Sequence, residues 1–393
     1  MKKRSAACVA IFITLFLLTV CGFIYFSGFF ETKNLVNIPR EGPENVSDQE
    51  LREKIGQMLI LGFNGTLVTQ ASPIVKAIRD LSLGGIILFD YNVADEFQSR
   101  NIISPEQTKT LISDLQKFSA TPLFVAIDAE GGKVNRLKEK YGFINVPSAE
   151  SLGKKSVLET EKAAQVLAAE LSTLGINLNL APVVDVNVNP RNPIIGSLAR
   201  SFSSDPQEVL SHSLAFIEAH HQNNVLVAIK HFPGHGSSEE DSHEGLVDIT
   251  DTYQDSEMIP FREIIGKNQA DMVMAAHLMN LKIDPNYPAS LSSIFIKDIL
   301  QGELGFKGLV ISDDMQMGAI EENYSFKRAL ILAINAGCDL LIISNNGKTY
   351  NERISYEASD IVFDAVRSGE IPLSRVLESS EKIEKTKRKL KLF

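Results

Sequence analysis

Tryptophan is absent from the 393 residues, so no indole is available to stack against a sugar face or another flat ligand. Cysteine is almost absent. Cys8 and Cys21 fall inside an apolar N-terminal run, which leaves Cys338 alone in the body of the chain and excludes an internal disulfide there. Cys338 sits in Ala336-Gly337-Cys338-Asp339-Leu340 and reads as a small buried thiol. Positive charge is scarce: 39 Lys and Arg face 49 Asp and Glu, giving a net charge of −10. With no basic stripe as well, nucleic acid is excluded as a partner. No internal repeat or low-complexity tract occurs, and no Gly-rich dinucleotide or phosphate fingerprint follows the first apolar run.

What is present begins at the N-terminus. Lys2, Lys3 and Arg4 precede an uncharged run from Ser5 to Phe30. That run exceeds the ~7–15 apolar residues of a signal-peptide core and is long enough to span a bilayer. No small-residue cleavage site is evident, and Leu18-Thr19-Val20-Cys21 resembles a lipoprotein processing site only loosely. Residues 1–30 are therefore read as a transmembrane signal anchor with its N-terminus in the cytoplasm. The catalytic body is then expected outside the cytoplasm, at a bacterial cell surface or in the periplasm. Residues 31–47, polar and carrying Pro39 and Pro43, read as a linker. Ser47-Asp48-Gln49-Glu50 has the capping-box pattern of a helix start, and residues 48–393 read as one domain.

Within that domain, short apolar runs alternate with turns and helical patterns. The runs are Met58–Phe63, Gly85–Phe89, Leu123–Ile127, Leu178–Val184, Val225–Ile229, Met272–Ala276, Gly308–Ile311 and Leu340–Ile343. Continuous apolar runs without alternation indicate strands buried on both faces. The segments between them are helical in period, most clearly 162–174 and 325–335. The fold class is therefore α/β, a (β/α)8 TIM-type barrel, with a doubly wound open sheet as the alternative. The basic tail from Leu373 to Phe393 (Lys382, Lys385, Lys387, Arg388, Lys389, Lys391) reads as a solvated helix face, with contact to an anionic membrane surface as the lesser reading.

Barrel sites form where strands end. Polar residues gather after six of the eight runs: Asp128, Glu130 and Arg136; Asp185, with Arg200 further along; Lys230 and His231; His277; Asp313 and Asp314; Ser344 to Asn346. The densest stretch, Lys230 to His243, also holds His235 and Asp241. Two chemistries fit it. His231, His235, Asp241 and His243 are possible metal ligands. Alternatively, Asp241 fixes the tautomer of His243 for acid–base work. Asp313 is a candidate nucleophile, and Asp314 reads as the N-cap of a helix starting near Met315.

Residues 126–136 (Ala-Ile-Asp-Ala-Glu-Gly-Gly-Lys-Val-Asn-Arg), Lys230 to Gly236, Asp241-Ser242-His243 and Ile311 to Met315 together resemble glycoside hydrolase family 3. They are most similar to its bacterial β-N-acetylglucosaminidase branch. The resemblance runs from about Ile55 to Ile343. It departs from the usual pattern at Ala129 (usually Gln), at Ser237-Ser238 (often Asp-Thr) and in the longer loop before Arg200. The resemblance implies Asp313 as nucleophile, His243 as general acid/base and Asp241 as its partner. It further implies that Asp128, Arg136, Arg200, Lys230 and His231 bind the sugar, and that no metal or other cofactor is needed. The implied reaction is retaining hydrolysis of terminal β-linked N-acetylglucosamine (GlcNAc) from peptidoglycan (muropeptide) fragments. A family 3 β-glucosidase, a GlcNAc phosphorylase and a non-catalytic wall-binding barrel are the competing readings. Gly234 and Gly236 are expected to let the loop swing His243 to the site when substrate binds.

Overall fold

A computed structural model describes residues 46–94 and 98–390. The expected anchor, residues 1–30, and nearly all of the expected linker lie outside the described residues. Among the described residues no helix is long and apolar enough to cross a membrane.

Eight parallel strands close into a barrel: β1 (Leu59–Gly62), β2 (Gly85–Leu88), β3 (Phe124–Ile127), β4 (Leu178–Asn179), β5 (Leu226–Phe232), β6 (Met272–Ala275), β7 (Leu309–Asp314) and β8 (Leu340–Ile343). Each pairs with its sequence neighbours, and β1 closes onto β8 through Leu59 opposite Leu341. The open-sheet alternative is thereby excluded. Every residue of β1, β2, β3, β6 and β8 is buried, as uninterrupted apolar runs demand when helices cover the outside and side chains fill the inside. Helices follow the expected pattern. Ser47 Oγ accepts the Glu50 amide at the start of helix Asp48–Gln57; the expected period 162–174 lies within helix Val157–Leu174, and 325–335 corresponds to helix Phe326–Ala336, with Ser325 its N-cap.

Strand ends differ from the expected runs in ways that shape the site. The β4 ladder stops at Asn179 rather than Val184, with only an isolated bridge from Val183 to Lys230 beyond it. Pro182 interrupts the run and has no N–H to donate to a ladder. β5 and β7 run further than expected, which places Lys230, His231, Asp313 and Asp314 on the strands themselves.

Two further expectations are corrected. Asp314 is not a helix N-cap, because the next helix begins at Gly318. Its carboxylate instead accepts the amides of Gln316 and Ser344, tying the end of β7 to the end of β8. The basic tail forms helix Leu373–Lys389, and its face is not wholly solvated. Lys387 is 2% exposed; it donates to Gln57 and lies 5.0 Å from the Phe124 ring centroid. Arg375 pairs with Asp339 at 2.7 Å and also donates to the carbonyls of Gly337 and Cys338. The helix thus packs beneath the starts of β1, β3 and β8, which buries one side of it. Cys338 is buried there, as expected.

Candidate active site

The polar cluster is built from the mouths of β3 and β5. Asp128 and Glu130 follow β3 at a spacing of two, so both side chains point the same way. The turn after them needs glycine: Gly131 has φ +94°, and a Cβ there would lie 2.4 Å from the Pro147 carbonyl. Lys230 Nζ reaches both acids, at 2.8 Å to Asp128 and 2.7 Å to Glu130. Arg136 adds a 3.3 Å contact to Asp128. Arg200 grips Glu130 through two bonds of 2.8 Å, the planar fork geometry that suits a guanidinium and a carboxylate.

The same guanidinium lies 3.2 Å from Nε2 of His231, whose Nδ1 is 2.6 Å from Asp185. Arginine can only donate, so Nε2 accepts and the ring proton sits on Nδ1, directed at Asp185. Asp185 Oδ1 accepts the amides of His231 and His235 and so fixes the whole turn after β5. Both nitrogens of His231 are committed to protein partners.

Electrostatics follow from these contacts. Burial alone would favour protonated acids. At Asp128 the charges of Lys230 and Arg136 outweigh it and hold the carboxyl well below the usual range. At Glu130 burial is outweighed by Arg200 and Lys230. At Asp185 it is outweighed by the His231 ring and the His235 contacts.

Across the cavity, Asp313 ends β7 and accepts the Asp314 amide at 2.8 Å. Burial pushes its pKa up, but His277, His231 and that amide outweigh burial and hold it down. Its neighbour is driven the other way: burial pushes Asp314 up to about 6, and the charge of Asp313 adds to this. The two adjacent carboxyls are thus pushed apart in titration, Asp313 ionising well before Asp314 as pH rises. His277, buried between Ser290 Oγ and the Asp314 carbonyl at 2.9 Å, holds the turn that presents Asp313.

The last element is the loop after β5. Gly236 is required there, because a Cβ would lie 1.7 Å from the Val186 carbonyl. Just before it, His235 contacts Ser238 at 2.7 Å and Ser242 at 3.3 Å. His243 Nδ1 is 2.7 Å from Asp241, whose carboxylate also accepts the His243 amide. The His243 side chain is 63% exposed. With Nδ1 committed to Asp241, Nε2 is left without a protein partner among the described residues.

One cavity of about 400 Å³ is lined by all eight residues expected in the site: Asp128, Arg136, Arg200, Lys230, His231, Asp241, His243 and Asp313. The metal alternative finds no support in the arrangement. Among the described residues no three His, Cys, Asp or Glu side chains are grouped to hold an ion, and His231, His235 and His243 each bond to other protein groups. Two structural members of the cluster, Glu130 and Asp185, are named from the sequence only as polar residues after strand ends, without a role in the site. Glu130 had a signal in its spacing from Asp128. Asp185 had one in its position as a lone acid within Val183-Val184-Asp185-Val186.

The glycosyl hydrolase family 3 N-terminal domain matches residues 50–386. The chain belongs to glycosyl hydrolase family 3. Among family relatives, a β-hexosaminidase of Tolumonas auensis is 34% identical over 277 residues, covering 69% of this chain and 78% of the relative. Beta-hexosaminidase A of Pseudoalteromonas piscicida is 30% identical over 371 residues, 86% of this chain. The family 3 β-N-acetylglucosaminidase structure from Paenibacillus sp. FPU-7 superposes with a TM-score of 0.79 at 34% identity, covering 87% of this chain. The β-N-acetylhexosaminidase of Beutenbergia cavernae gives 0.76 at 29% identity, covering 86% of this chain and 98% of that one. The chain spans only 61% of the Pseudoalteromonas relative and 62% of the Paenibacillus one.

Proposed function

We propose that this family 3 chain is a β-N-acetylhexosaminidase that removes terminal β-linked GlcNAc with retention of anomeric configuration. The observation that carries the reading is the pairing of an ionised Asp313 with the His243–Asp241 dyad on one cavity. Asp313 attacks the anomeric carbon while His243 Nε2 delivers a proton to the glycosidic oxygen. The bond to the leaving sugar breaks and a glycosyl ester forms on Asp313. The neutral imidazole then takes a proton from water, which releases the sugar and restores both groups. Asp128, Arg136, Lys230 and Arg200 bind the sugar hydroxyls through charged or oriented hydrogen bonds, and His231, its two nitrogens held by Arg200 and Asp185, acts by fixing Arg200 in place. The relatives named β-hexosaminidase support this activity class.

The natural substrates we propose are peptidoglycan-derived muropeptide fragments, met outside the cytoplasm by a chain anchored through residues 1–30. The test is release of p-nitrophenol from its β-GlcNAc glycoside by the full chain. Asp313→Ala should lower the rate by roughly a thousandfold or more, and His243→Ala should accumulate a glycosylated Asp313 peptide visible by mass spectrometry. Absence of turnover by the parent chain sinks the reading.

One observation keeps phosphorolysis as a second reading. The acid/base is an imidazole, which carries no negative charge in either protonation state and so does not repel an incoming phosphate. A rate that depends on phosphate, with GlcNAc-1-phosphate as product, favours it.

A further inference from the structure

The rim of the cavity carries a feature that the sugar-binding cluster does not use. After β2 the chain forms a hairpin: Asn101 N donates to the Phe89 carbonyl, Arg100 N to the Asp90 carbonyl, and Tyr91 bridges Ser99. Tyr91 and Val93 line the cavity from this hairpin and are 40% and 41% exposed, among the few large apolar residues left open to solvent. Such exposure at a cavity mouth marks a contact surface more often than a packing fault.

The hairpin is held in place at some cost. Asn346, just beyond β8, accepts the Val93 amide at 3.1 Å and donates to the Tyr91 carbonyl at 3.4 Å. Arg100 in turn holds Asn346: it is 1% exposed and donates to Asn346 Oδ1 at 2.7 Å and to the carbonyls of Ser344 and Asn345 at 2.9 Å. Among the described residues no carboxylate pairs with it. A buried guanidinium whose hydrogen bonds all go to neutral oxygens is expensive, with the Asp314 charge nearby offsetting part of the cost, and what it secures is the position of Tyr91 and Val93 over the cavity. Lys138 Nζ, 5.7 Å from the Tyr91 ring centroid, further restrains the ring. Lys133 also lines the cavity. It is exposed, donates only to the Ser197 carbonyl, and has no carboxylate partner among the described residues.

We infer that Tyr91, with Val93, is the stacking surface of an aglycone subsite, and that Lys133 receives an anionic substituent of the sugar bound there. The inference rests on the glycosidase reading above and adds which leaving group the site selects. A pyranose presents a face of C–H bonds to the open tyrosine ring, the role a tryptophan would otherwise fill in this tryptophan-free chain. An unpaired ammonium on the same rim favours an aglycone that carries a carboxylate, such as a lactyl ether.

The test compares three substrates that share the GlcNAc unit: its methyl β-glycoside, the GlcNAc–GlcNAc disaccharide, and GlcNAc linked to N-acetylmuramic acid (MurNAc). Tyr91→Ala should lower kcat/KM on both disaccharides by about tenfold relative to the methyl glycoside, and Tyr91→Phe should restore it. Lys133→Ala should lower kcat/KM about fivefold on the MurNAc substrate alone. Equal losses on all three substrates, or none, overturn the subsite. If the parent chain releases GlcNAc from none of them, the glycosidase reading fails and the inference falls with it. If the parent is active and the variants do not discriminate, only the subsite fails. Melting temperatures of the variants check that the exposed positions leave the fold intact.

Discussion

Two walls of the same cavity are built on opposite plans. The wall from β3, β5 and the Arg200 loop is packed: Lys230, Arg200, Glu130 and Asp185 are each under 9% exposed, and bonds of 2.6–2.8 Å hold their charges in fixed partnership. The wall carrying Asp241 and His243 stands in water, its two side chains held mainly by each other. In the proposed function the first wall holds the sugar in one pose, because its charged groups are fixed by one another. The second is open to solvent, so in the proposed two-step reaction it can exchange a proton between steps. Rigidity and access are divided between elements, and neither region could supply both.

Breaking the packed wall should have the largest effect. Arg200→Leu removes the two guanidinium bonds to Glu130 and leaves Lys230 as the remaining cation on a buried carboxylate. Unfolding free energy should fall by on the order of 3–5 kcal/mol, with activity lost at the same time, and denaturant titration measures it. A loss under about 1 kcal/mol would mean the cluster is more solvated than its burial indicates. The exposed wall should respond differently. His243→Ala should reduce turnover of an unactivated glycoside by about 10²–10⁴-fold, while stability changes by no more than about 0.5 kcal/mol. Asp241→Asn should cost about ten- to a hundredfold in turnover through the tautomer alone. If either loop variant melts as early as Arg200→Leu, the contrast between the walls is wrong.

The smallest effect sharpens the comparison at the root of the loop. Glu257 is fully buried and accepts the amides of Ser237 and Gln254, and burial pushes its carboxyl up to about 7. A carboxyl raised in the folded state stabilises it most below the unfolded value near 4.5 and progressively loses that contribution as pH climbs to about 7. Burial pushes His235 the opposite way, down to about 4, so its contribution is present above about 6.5 and lost as pH falls toward 4. Glu257→Gln should therefore gain stability at pH 8 relative to pH 5, compared with the parent chain, by about 1 kcal/mol or more. Calorimetry at the two pH values decides it. An unchanged difference would place the titration elsewhere.

Much of this was legible in the residues. The eight apolar runs appear as eight strands, because a strand buried on both faces leaves an unbroken signature. Most of the polar residues after them line one cavity, because barrel topology brings strand ends together. Partnership was harder to read. Arg200 and Glu130 lie 70 positions apart, and His231 and Asp185 lie 46 apart; no local spacing encodes such pairs. Lys387 misled for a related reason. A lysine in a basic run reads as solvated unless one knows which face of its helix meets the strand starts.

Helix Leu373–Lys389 bears on how this molecule is made. Asp339 is fully buried, and Arg375 and Ser379, which bond its carboxylate, are synthesised 36 and 40 residues after it. While the chain emerges from a ribosome, every strand and every group lining the cavity is complete before that carboxylate can be neutralised. The barrel floor around Asp339 is therefore completed by a segment made after all eight strands and after every group that lines the cavity.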